Sequence, residues 1–333
     1  MKEKVIFDTN FLYNKKATSF FGNKDELIQF EEVADIVIPE IVIEELKSKY
    51  ARSFKQEKEK FFKTLLPNLI EHNTNDVIVD SKIKEIIDKE TISYKVIRLE
   101  NFDVLPEMKR LALEKLPPFE PSDGTDKGFK DTYIYFTILE YLQNITDKYV
   151  FVCVKDKRFK KAFDNHDNIY AIESYQEFLD NRIAQFQGSY FLEKLEENLG
   201  FKVEASQVKN FWHNIDDNKN VFIKVEDEEY IVEEDSGEIV SSSKPELYKS
   251  NIEQLVLSGN FETTHSTIEQ LLPFVNYFSD EDILKIFNAS FSNEQIKWII
   301  EDEDVKEFIG TLYKAKSELV ENDVADFLKE NFL

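Results

Sequence analysis

Short, unbroken apolar runs punctuate the first half of the chain: Val5-Ile6-Phe7, Ile36-Val37-Ile38, Val150-Phe151-Val152-Cys153-Val154 and Ile169-Tyr170-Ala171-Ile172. Runs this short, rich in β-branched residues and without alternation, predict strands buried on both faces, as in a parallel sheet. Helical spacing lies between them. Ile41, Leu46 and Tyr50 begin one helix, and Ile134, Ile138, Leu139 and Leu142 form the apolar face of another. This alternation predicts an α/β fold over residues 1–187, an open parallel sheet flanked by helices. Residues 47–125 read as a long, mostly helical insertion, with helices over 80–87 and 106–116. Pro117-Pro118 stops the second helix, and residues 119–128, with Pro121, Gly124 and Gly128, form a loop.

The pattern changes near Gly188. Val221 to Val225, Tyr230 to Val232 and Glu238 to Val240 alternate apolar with polar residues, and Asp235-Ser236-Gly237 reads as a turn. Residues 188–245 are therefore expected to hold a small antiparallel hairpin or meander, closed by a linker at Ser241-Ser242-Ser243-Lys244-Pro245. Residues 246–333 read as an acidic helical domain. Capping boxes are expected at Ser279-Asp280-Glu281-Asp282 and Ser292-Asn293-Glu294-Gln295.

Composition narrows the class. A length of 333 residues suits about two domains at ~150 residues each. With 42% hydrophobic residues and 29 Phe, wholesale disorder is excluded. Only 8 Gly and 8 Pro argue against a sandwich of many tight turns. Cys153 has no partner for an intramolecular disulfide, and His72, His166, His213 and His265 show no zinc-ligand spacing. No apolar run approaches the ~20 residues that cross a bilayer, so no membrane association is expected. Met1 leads straight into a strand without a secretory apolar stretch, which points to the cytoplasm. The net charge of −24 is unevenly spread. Residues 1–187 carry 29 basic and 34 acidic side chains, residues 188–333 carry 13 and 32. A nearly balanced front half and a strongly anionic rear half imply two modules with different work.

Four acids in the front half stand where chemistry gathers in such folds. Asp8 and Asp156 end apolar strands, Glu45 lies one turn into the helix after Pro39, and Asp131 lies on a first helical turn. Functional groups in open parallel sheets collect beyond the carboxyl ends of the strands. Carboxylates crowded there repel one another, and a hard divalent cation, Mg²⁺ or Mn²⁺, relieves the repulsion through oxygen ligands. Each acid also has an ordinary reading: Asp8 as a helix cap, Asp156 as a turn residue, Glu45 as a solvated helix position, Asp131 as an acid favoured by the helix dipole.

Four segments resemble the motifs of PIN-domain nucleases, in family order. They are Val5-Ile6-Phe7-Asp8-Thr9-Asn10-Phe11-Leu12, Ile38 to Leu46 with Glu45 preceding Leu46, Gly128-Phe129-Lys130-Asp131-Thr132-Tyr133-Ile134, and Phe151 to Phe159 around Asp156. The resemblance spans roughly residues 1–180, and the long insertion is similar to the larger bacterial PIN-like proteins. It implies a metal-dependent endonuclease acting on nucleic acid, RNA more than DNA. Asp8, Glu45, Asp131 and Asp156 would hold the metal, directly or through water, with Thr9 and Asn10 as supporting polar residues and Asp126 as an additional acid. Glu44 competes with Glu45, but the two sit about 100° apart on a helix, so only one can face the cleft. Basic residues suited to phosphates lie nearby, including Lys49, Arg52, Lys130, Lys157 and Arg158. Tyr50, Phe54 and Phe159 read first as core residues and otherwise as stacking platforms for bases.

Other classes are weaker. A strand ending in Asp also opens haloacid-dehalogenase-type phosphatases, but Asn10 stands where those place a second Asp. The alternative that remains is a catalytically silent nucleic-acid or protein interaction module with the same fold. Residues 188–333 show no catalytic pattern. They are expected to regulate, to form a homo-oligomer or to dock a protein partner.

Overall fold

A computed structural model describes residues 2–16, 18–62, 77–122, 127–245 and 248–332. The chain divides into two compact units, Lys2–Gln185 and Phe186–Leu333.

The first unit is the predicted α/β fold. In chain order it comprises β1 (Glu3–Phe7), α1 (Thr9–Leu12), α2 (Lys24–Val33), β2 (Ala34–Pro39), α3 (Glu40–Phe62), α4 (Val77–Asp88), β3 (Lys95–Ile97), α5 (Leu105–Leu113), α6 (Phe129–Asn144), β4 (Val150–Cys153), α7 (Lys157–Lys160), β5 (Ile169–Ile172) and α8 (Tyr175–Asn181). The strands form one sheet in the order β3-β2-β1-β4-β5, and every pairing is parallel. The central strands are apolar without alternation because helices cover both faces: Val5, Ile6, Phe7, Val150, Phe151 and Val152 are all buried. Aromatic rings fill the core on one side, with Phe30 edge-on to Phe7 and Phe151 edge-on to Phe178.

The chain leaves β1 toward one edge of the sheet and returns to the other edge through β4. The order therefore reverses between β1 and β4, and a crevice opens beyond their carboxyl ends. That crevice positions the site described below.

Two elements differ from expectation here. β3 supplies a fifth strand that the apolar pattern does not reveal. It has three residues, pairs on one side only and buries one side chain, so its apolar run is too short to register. The insertion is also less separate than expected, since α3 begins before it and runs to Phe62.

The second unit contains α9 (Ser189–Leu199) and a four-stranded antiparallel sheet, β6 (Val208–His213), β7 (Lys219–Val225), β8 (Glu228–Asp235) and β9 (Glu238–Ser243), in sequential order. Ser236 and Gly237 both take positive φ, 55° and 85°, at the β8–β9 turn. Consecutive positive φ values give the turn whose twist matches a hairpin. Among the described residues, six α-helices follow: α10 (Lys249–Val256), α11 (Phe261–Leu271), α12 (Asp280–Ser292), α13 (Glu294–Trp298), α14 (Glu303–Lys316) and α15 (Asn322–Phe332). Sheet and helices share a core, in which Ile231 of β8 packs with Tyr248, Phe278 and Phe308.

Three local expectations are corrected. Ser241 to Ser243 pair with β8 and form strand, not linker, because their backbone groups complete the ladder whatever the side chains prefer. β6 extends the meander by a strand beyond those expected. The box at Ser279 and Asp282 is present, but Asn293, not Ser292, caps α13, accepting from the Gln295 amide. Among the described residues, no helix is long and apolar enough to cross a membrane.

Candidate active site

Parallel pairing of β1 with β4 sets Phe7 opposite Cys153, so the residues that follow these strands emerge side by side. Asp8 follows β1 directly and caps α1, accepting from the Asn10 amide at 3.2 Å. Its own amide donates to the Cys153 carbonyl at 3.1 Å, which ties the two strand ends together. Asp156 caps α7, accepting from the Arg158 and Phe159 amides at 2.8 and 3.0 Å. The ordinary reading of Asp8 as a helix cap is therefore true, Asp156, read as a turn residue, caps a helix as well, and both residues also line a cavity.

That cavity has a volume of about 480 Å³, within the range of small-molecule sites. Asp8, Thr9 and Asn10 line it from β1 and α1, Glu45 from α3, Asp131 from α6, and Asp156 from the end of β4. Four carboxylates from four separate elements thus share one space. Glu45 resolves its rivalry with Glu44, which is exposed on the next face of the helix.

Electrostatics separate Asp8, Glu45 and Asp131. Burial pushes the Asp8 carboxyl up, with the Glu45 charge adding to it and the Asn10 and Thr9 amides opposing. Asp131 is pushed up to about 7, first by burial and then by the charges of Asp8, Asp156 and Glu45, with Lys130 opposing. Glu45 goes the other way. Burial raises it, but Lys130, Thr9 and Lys49 together outweigh burial and hold it below the ordinary glutamate range. The contacts are direct: Thr9 Oγ1 donates to Glu45 Oε2 at 2.9 Å, and the Lys130 and Lys49 ammonium groups stand 3.0 and 3.4 Å from Glu45 Oε1. The site therefore couples carboxylates of unequal proton affinity, a pattern common where catalysis occurs.

The donor set is all oxygen, which suits a hard divalent cation and not zinc. The charge that raises Asp131 is the charge such a cation would neutralise. Among the described residues, no three His, Cys, Asp or Glu side chains stand close enough together to hold a metal ion in the geometry observed. Glu45 is instead engaged by the two lysines. The residues fit a cation by chemistry and by shared cavity; the side chains have not closed on one point.

The basic candidates divide. Lys49 and Lys130 reach the cavity acids through Glu45. Arg52 is exposed along α3, with its Nε 3.3 Å from the Ser48 carbonyl, and Lys157 is exposed on α7. Arg158 is not among the residues that line the cavity. Its guanidinium donates to the carbonyls of Phe119 and Lys115 at 2.8 and 2.7 Å, fastening the loop that walls the cavity. The stacking candidates Tyr50 and Phe159 are fully buried, and Phe54 stacks on Tyr50 at the edge of the core. Those side chains serve packing. Asp126 lies outside the described residues.

Sequence reasoning passes over two lining residues. Glu120 is a fifth acid on the cavity wall, and Phe129 is an exposed ring beside Asp131. Glu120 follows the two prolines inside a segment that reads only as a loop. Phe129 resembles any other apolar residue until its exposure is known.

A parallel sheet with acids gathered at its switch point defines an α/β domain whose crevice lies where such folds hold their ligands. Residues 5–159 match the family profile described as PIN domain, so this segment of the chain is a PIN domain. PIN domains are generally nucleases and typically use divalent metals. No curated protein and no solved structure matches the chain significantly.

Proposed function

We propose that the protein is a metal-dependent endonuclease that hydrolyses phosphodiester bonds of single-stranded nucleic acid, RNA in preference to DNA, with Mg²⁺ or Mn²⁺. The observation that carries this reading is the convergence of Asp8, Glu45, Asp131 and Asp156 on one cavity, with Asp131 raised to about 7 by burial and by the other three charges. These four would hold the cation. A divalent cation there supplies positive charge to the phosphate and acidifies the attacking water.

The chain's own groups do the remaining work. Thr9 holds one oxygen of Glu45 and fixes its direction. Lys130 compensates the Glu45 charge and, with Lys127, lies where a phosphate backbone would pass. Asp8 and Asp156 each have one carboxylate oxygen held by backbone amides, which limits the directions the other oxygen can take.

The test incubates labelled single-stranded RNA and DNA with each metal, comparing the parent with Asp8→Asn and Asp131→Asn. Both variants should lose at least about a hundredfold in rate, since the charge developing on phosphate loses its main stabiliser. Cleavage by both variants at the parental rate overturns the assignment. The Lys130–Glu45 pair favours a second reading, a silent module that binds nucleic acid. Tight binding without turnover in either metal selects that reading. For residues 186–333 we propose a regulatory or oligomerisation role, on the strength of the charge asymmetry.

A further inference from the structure

Phe129 is 58% exposed and Phe102 57%, whereas Phe7, Phe11, Phe20, Phe21 and Phe30 of the same unit are buried. Of the two exposed rings, Phe129 belongs to the residues lining the cavity that Asp8 and Asp131 share. An exposed ring forgoes roughly 1.5–3 kcal/mol of burial, so its place beside a charged site calls for a reason.

The backbone beneath the ring is tightly set. Gly128 takes φ +111°, and a Cβ there would come within 2.6 Å of the Phe119 Cα. The Glu120 amide donates to the Lys127 carbonyl at 3.1 Å, and the Thr132 amide and hydroxyl both donate to the Gly128 carbonyl at 2.8 Å. Phe129 therefore starts α6 from a fixed base, two positions before Asp131. Lys127 and Lys130 flank it in the chain, and both line the cavity.

An exposed aromatic residue with a lysine on either side of it in the chain, near acids that would engage a phosphate, matches the chemistry of a single-stranded nucleotide: a flat base attached to an anion. A paired base inside a helix has no free face to offer. We propose that Phe129 stacks on the unpaired base adjoining the phosphate that the acidic cavity engages, so the substrate is single-stranded at that position. The inference rests on the nuclease reading and adds a base-contact residue to it.

The test uses the full chain carrying Asp8→Asn, so that bound strands survive, and measures fluorescence anisotropy with short single-stranded RNA and DNA. Adding Phe129→Ala should weaken binding about ten- to hundredfold, the range for losing one stacked base. Phe129→Trp should retain the affinity. In a series of strands with one base removed at each position in turn, a single position should weaken binding to the Asp8→Asn protein, and that sensitivity should vanish in the Phe129→Ala background. Melting curves for each variant establish that the fold is intact.

If Phe129→Ala binds within twofold of its parent, or keeps the same sensitive position, stacking is refuted and the nuclease reading survives. A lower melting point with unchanged affinity assigns the ring to packing and also refutes the inference. If no strand binds either the Asp8→Asn protein or the unsubstituted chain, the nuclease reading fails and this inference falls with it.

Discussion

At the scale of single residues, Asp131 carries a cost that can be measured without any substrate. In the unfolded chain its carboxyl loses its proton near 3.8, whereas in the fold burial and three neighbouring acids hold the proton to about 7. Between those values the folded state binds more protons than the unfolded one, so stability falls as pH rises through the window, and the loss is complete above it. Asp131→Asn removes this cost at about 1–3 kcal/mol, after allowing for solvent around a partly exposed group. It gives up only about 0.3–1 kcal/mol of interaction with the positive end of α6. The variant should therefore melt a few degrees higher than the parent at pH 8 and no higher at pH 3. A lower melting temperature at pH 8 would show that the carboxylate is not strained. The four acids are legible because strand ends and helix starts can be located from apolar runs. The roles of aromatic residues are not, since burial decides them: Tyr50 and Phe159 lie in the core, and Phe129 lies exposed beside the cavity.

At the scale of elements, the cavity wall depends on one backbone crossing. The Pro118–Phe119 backbone passes so close to Gly128 that no side chain fits, and Arg158 fastens the same stretch from the other side. Gly128→Ala combines a left-handed φ with a collision against backbone that cannot yield. Gly200 also takes a positive φ, 78°, but has nothing within 4 Å of its missing Cβ. Gly200→Ala should cost about 1 kcal/mol, and Gly128→Ala distinctly more, about 2–4 kcal/mol with loss of cleavage. Thermal melts of the two variants decide the order; equal losses would mean that the wall gives way freely. Doubly buried strands are readable from their apolar runs alone. β3 is not, because a three-residue edge strand buries too little to leave a pattern, and the serines of β9 suggest a linker by propensity where pairing prevails.

At the scale of the molecule, the two units have separate cores. Residues 186–333 enclose a large set of apolar side chains of their own, enough for an independent domain. Expressed alone, this segment should melt in one cooperative transition; a non-cooperative profile would show that it needs the first unit. Removing it from the full chain should change cleavage rate or assembly state, and if both stay the same, the regulatory or oligomerisation role is retired. The two-part division is legible because the charge balance and the periodicity of apolar residues change in the same region.

The pairing of Val5 with Phe151 brings together positions far apart in the chain. Closing so large a loop must await the later strand. During translation the amino-terminal acids leave the ribosome long before their partners on α6 and after β4. A growing polypeptide accordingly holds no complete cleft until synthesis has passed Asp156, a delay that follows from strand order alone.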